Sequence, residues 1–77
     1  MKLNLIKTFP YKGKTIVMSD NGFCYFVFIV GEKKSFGSVA DAKKYINGKP
    51  TIWQVQDTSQ WAEFNDAVDA LVAEHNL

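Results

Sequence analysis

The sequence predicts an α+β fold, a small antiparallel sheet packed by two helices, and three observations carry that expectation. Residues 2–30 divide into short extended segments punctuated by Pro10, Lys12-Gly13-Lys14 and Asp20-Asn21-Gly22. The stretch Phe23–Val30 is apolar at every position, as a strand covered on both faces should be. Two later stretches space their apolar residues at helical intervals behind capping residues. The predicted order is β-β-β-α-β-α, with three or four strands, in one domain spanning residues 1–77. Seventy-seven residues leave no room for a second core.

The first strand is expected over residues 2–9. Leu3, Leu5 and Phe9 fall on one face and Lys2, Asn4 and Thr8 on the other, with Ile6 as the exception to the alternation. Pro10, which has no N–H to donate, ends this strand or places it at an edge. Lys12-Gly13-Lys14 is a turn, and Thr15-Ile16-Val17-Met18 a second, β-branched strand. Asp20-Asn21-Gly22 is the strongest hairpin signal, because Asn and Gly tolerate positive φ. Phe23–Val30 then forms the central strand, and Gly31-Glu32-Lys33-Lys34 turns the chain into a short extended piece at Ser35-Phe36.

Ser38 is a good N-cap with Asp41 three residues on, and Gly48 a good residue to follow a helix ending near Asn47. Between them Val39, Ala42, Tyr45 and Ile46 share a face, and Lys43, Lys44 and Asn47 point outward. After Lys49-Pro50, residues Thr51–Gln56 are expected as a fourth strand. A second helix should start between Asp57 and Ser59, with Trp61, Phe64, Val68, Leu71, Val72 and His75 along its apolar stripe. Ala62, Glu63, Asp66, Asp69, Ala70, Ala73 and Glu74 fall on the opposite side.

Little chemistry can be assembled from these side chains. One Cys excludes an internal disulfide, and one Cys with one His excludes a zinc site built from those ligands alone. Cys24, in the most apolar strand, is expected as an inert core thiol. His75 lies near the end of its helix with no nucleophile or orienting group beside it. Gly13-Lys14-Thr15 matches the tail of a phosphate loop, but Thr8 stands where the first Gly belongs and a strand follows where a helix should. Asp20-Asn21-Gly22 lacks the remaining ligands of a calcium loop. Trp53 and Trp61 are expected as core anchors. No catalytic residue, metal or cofactor is expected. The longest apolar run is far short of the roughly 20 residues that span a bilayer. The start has no signal-peptide pattern, so the expectation is a cytoplasmic protein without a membrane partner.

Charge is the informative feature. The net value is +1, yet residues 1–50 hold all nine lysines against Asp20, Glu32 and Asp41, a net +6. Residues 51–77 hold Asp57, Glu63, Asp66, Asp69 and Glu74 and no lysine, a net −5. A meander brings the Lys12/Lys14 and Lys33/Lys34 turns to one end of the sheet, and Lys43 and Lys44 on the first helix extend the basic patch. Glu63, Asp66, Asp69 and Glu74 form an acidic helix face suited to a basic protein target. A second copy, pairing basic end to acidic helix or covering the central strand, is the other protein partner expected.

Tyr11-Lys12-Gly13-Lys14-Thr15-Ile16-Val17-Met18, a Gly-turned hairpin, and Phe36-Gly37-Ser38 through Asn47-Gly48 resemble small phage and prophage proteins with a Y-x-G … F-x-S-x-x-x-A-K-x-x-I layout. The resemblance covers residues 11–48 and implies a mobile-element origin, with the host cytoplasm as the site of action. The strand-and-helix order also resembles the arm-site DNA-binding domains of phage integrases, from which this chain departs by lacking Arg. By analogy of size and charge with phage inhibitors of host defence, anti-CRISPR proteins included, the expected function is a non-enzymatic module. It would block a host defence or nucleic-acid-processing protein through a charged face. The alternative is a DNA-binding accessory protein using Lys12, Lys14, Lys33, Lys34, Lys43 and Lys44.

Overall fold

The computed structural model describes residues 1–50 and 55–77. Their elements run β1 (Asn4–Tyr11), β2 (Lys14–Asp20), β3 (Tyr25–Ile29), β4 (Lys34–Phe36), α1 (Val39–Ile46), β5 (Val55–Asp57) and α2 (Ala62–His75). The α+β class holds, but the sheet has five strands among the described residues rather than three or four. They lie antiparallel in the order β1-β2-β3-β4-β5. The additional strand is Lys34–Phe36, expected only as an extended piece; it is paired on both sides, to β3 and to β5. Of the fourth strand expected over Thr51–Gln56, residues Thr51, Ile52, Trp53 and Gln54 lie outside the described residues, and so does the anchoring role expected of Trp53.

Two apolar clusters, one on each face of the sheet, hold the layers together. Val17 pairs with Phe28, and both join Leu3, Phe64, Ala67 and Leu71 beneath α2. One residue along, Ile16 pairs with Ile29, and these join Val27, Phe36 and Ala42 beneath α1. Period-two alternation on β2 and β3 thus feeds both cores, and the central part of the expected apolar strand is covered on both faces. Buried Ser19 is satisfied, its hydroxyl donating to the Phe26 carbonyl at 3.1 Å.

β1 departs from the expected alternation for a physical reason. Its pairing with β2 skips a residue between Leu5↔Ser19 and Lys7↔Met18, so Ile6 is the extra residue of a β-bulge. The bulge reverses the side-chain faces. Leu3 and Leu5 reach the α2 core while Phe9 and Tyr11 reach the α1 core, instead of Leu3, Leu5 and Phe9 sharing one face.

Local chemistry explains the turns and helix ends. Lys12 (φ 48°) and Gly13 (φ 77°) both take positive φ, as a tight two-residue hairpin requires. In α1, Ser38 accepts from the Asp41 N–H at 3.1 Å as expected of the N-cap. Beyond its C-cap the Gly48 and Lys49 N–H groups return to the Tyr45 and Lys44 carbonyls, a Schellman ending. α2 starts at Ala62, later than expected, because Thr58 is already engaged. The Thr58 N–H donates to the Lys33 carbonyl at 2.9 Å and ties β5 to the turn before β4.

Candidate functional site

The acidic face forms as expected. Glu63, Asp66, Asp69 and Glu74 are all exposed on α2, on the side turned away from buried Phe64, Ala67 and Leu71. With 3.6 residues per turn they occupy less than half the helix circumference, interleaved with exposed Ala62, Ala70 and Ala73. No lysine occurs on this helix.

Five of the six lysines of the expected basic patch lie on the α1 side of the sheet, and Lys33 does not. Lys12 and Lys43 place their ammonium groups 5.6 and 5.3 Å from the ring centre of Tyr11, and Lys34 lies 6.0 Å from that of Tyr45. Both rings pack against the α1-side core, so these three lysines belong to that side of the sheet. Lys14 is paired with Tyr11 and shares its face, and Lys44 is exposed on α1 itself. A further contact, Lys7 at 5.2 Å from Phe9, extends the lysine–aromatic pattern along β1. Lys33 goes the other way. It lines a cleft between α2 and the β3–β4 turn, together with Asp69 of the acidic face. The charge separation therefore runs across the sheet, from α1 to α2, rather than from one end to the other.

That cleft has a volume of about 110 Å³, floored by Phe28, Phe64 and Val68 and edged by Thr58 and Asn65. Small-molecule sites run from roughly 300 to 1,000 Å³, so it holds a side chain or a few waters rather than a cofactor. The adjoining Asp57 carboxylate accepts from the Ser59 N–H at 2.9 Å. That hydrogen bond, with help from the Ser59 hydroxyl and the charge of Lys34, holds its pKa below the ordinary aspartate value. Among the described residues no three His, Cys, Asp or Glu side chains group as metal ligands, and no helix is long and apolar enough to cross a membrane.

Sequence reasoning missed the β2–β3 tip. The strand begins at Tyr25, so Phe23 is 94 % exposed, Tyr25 73 % exposed, and Cys24 is an exposed free thiol, not the core residue expected. Asn21 is the cause. Its side-chain oxygen accepts from the Phe23 and Cys24 N–H groups at 2.9 and 2.8 Å, and its own N–H reaches the Cys24 carbonyl. These bonds form a four-residue loop, where a two-residue hairpin would have put Phe23 in the strand. The Asn21-Gly22 pair was the available signal, since an Asx turn takes up the N–H groups two and three residues beyond the Asn. Trp61 also departs from expectation. It precedes α2, is 37 % exposed, and stacks edge-on against Phe64 at 5.7 Å. His75 is exposed at the end of α2. The chain matches no family model, no curated protein and no solved structure.

Proposed function

We propose that this protein is a non-enzymatic interaction module of phage type, which docks the acidic face of α2 on a basic surface of a host protein and blocks it. One observation carries the reading: four carboxylates and three alanines share one exposed helix face that contains no lysine. Alanines let a partner approach closely, and a single-sign face steers a basic partner and rejects an acidic one. Inhibition by occupying a surface needs no catalytic group, which suits a chain whose only thiol and imidazole lie on separate elements, the β2–β3 loop and the end of α2. Capture of a basic protein from host lysate by the immobilised chain is expected to fall at least tenfold in Asp66→Ser/Asp69→Ser/Glu74→Ser. Equal capture by that variant would remove the acidic face from consideration.

A second reading has its own observation. Lys7, Lys12, Lys34 and Lys43 all stand over aromatic rings on the α1 side, where phosphates would meet a row of ammonium groups. On this reading the protein is a DNA-binding accessory factor. Duplex binding that weakens steeply with salt, and is lost in Lys12→Ser/Lys43→Ser, would establish it. No binding at low salt would end it.

A further inference from the structure

We propose that the protein associates with itself head to tail, the acidic α2 face of one copy docking on the α1-side lysines of the next. The occupant is a second copy because the chain carries both halves of a complementary pair on opposite sides of one sheet. One half is Glu63, Asp66, Asp69 and Glu74, spaced by small alanines. The other is Lys12, Lys14, Lys34, Lys43 and Lys44, which outnumber the neighbouring carboxylates Glu32, Asp41 and Asp57, the last paired with Lys34 on the adjacent strand. Glu32 is moreover partly engaged, accepting from the Tyr45 hydroxyl at 3.3 Å.

Two further features favour the pairing. The net charge is only +1, so no overall repulsion opposes association and the separated charges are left to orient it. The ammonium groups of Lys12, Lys34 and Lys43 already lie over tyrosine rings, and Lys12 also bonds to Asn47, so little side-chain freedom is lost when a carboxylate arrives. Because the two faces are different and lie on opposite sides, the contact is heterologous. It generates a chain or a ring, not a twofold dimer. It needs no host protein, so it stands whether or not partner capture is found.

Sedimentation equilibrium of the purified full chain over a range of concentrations tests this. The average mass is expected to rise with concentration when the Debye length is about 30 Å and to return to the monomer at about 3 Å. Asp66→Ser/Asp69→Ser/Glu74→Ser is expected to weaken the low-salt association about tenfold. Lys43→Ser and Lys33→Ser remove the same charge from opposite sides of the sheet. The first should weaken association about twofold, whereas the second should leave it unchanged or stronger. A monomer at every salt concentration overturns the proposal. So does association that salt leaves unchanged, or equal weakening by Lys33→Ser and Lys43→Ser.

Discussion

Asn65 and Thr58 hold each other by two hydrogen bonds: the Asn65 amide donates to the Thr58 carbonyl at 2.7 Å, and its oxygen accepts from the Thr58 hydroxyl at 3.3 Å. Thr58 is buried, and its N–H is bonded to Lys33. The pair therefore joins α2, β5 and the β3–β4 turn at a helix start whose N-cap, Trp61, offers no side-chain bond.

Asn65→Ala removes both bonds and leaves the Thr58 hydroxyl without its partner. The expected cost is about 1–3 kcal/mol, read from urea midpoints at unchanged slope. Thr58→Val, which replaces the hydroxyl by a methyl of similar size, should cost less than Asn65→Ala because it leaves the Thr58 backbone bonds to Asn65 and Lys33 in place.

The bulge at Ile6 lets Leu3 and Leu5 reach one core while Phe9 reaches the other. Deleting Ile6 makes Leu5↔Ser19 and Lys7↔Met18 consecutive pairs, which restores strict alternation with both leucines still on the α2 side. The deletion of this exposed residue is therefore expected to destabilise less than Leu3→Ala, which should itself cost about 2–5 kcal/mol for a buried leucine. Denaturant titration of the two variants gives the ranking.

The β2–β3 tip should behave as surface. Phe23→Ser is expected to change stability by less than about 0.5 kcal/mol, against about 3–5 kcal/mol for Phe64→Ala in the α2 core. Cys24 should react with a thiol reagent as fast in the native protein as in denaturant, because the exposed sulfur needs no opening of the fold. Slow native reaction would return Cys24 to the core.

Asp57 supplies a pH dependence with a defined sign. Its folded-state pKa lies below the ordinary value, first because of the Ser59 N–H hydrogen bond. The stability it contributes is present above the ordinary aspartate range and is lost as pH falls through the lowered value. Wild type should therefore be more stable than Asp57→Ala at neutral pH, and the gap should close in acid, as thermal midpoints from neutral pH downward would record.

Several features of this protein follow from local sequence alone. Ser38 and Gly48 bound α1 because caps are satisfied within a few residues of the chain. The alternation in Val27-Phe28-Ile29 calls for helices on both faces, and the charges of α2 are exposed because its apolar stripe must be buried. Tertiary structure decided what depends on pairing across the sheet. The Ile6 bulge is visible only when β1 is laid against β2, since one unpaired residue reverses every side chain before it. Thr58 looks like a helix cap until the Lys33 carbonyl and Asn65 claim its polar groups. Phe23 and Cys24 look like core until Asn21 draws their N–H groups into a loop and delays the strand. Likewise the sequence halves determined that acid and base are separated. Only the packing of α1 and α2 on opposite faces decided the direction, across the sheet, with Lys33 left on the acidic side.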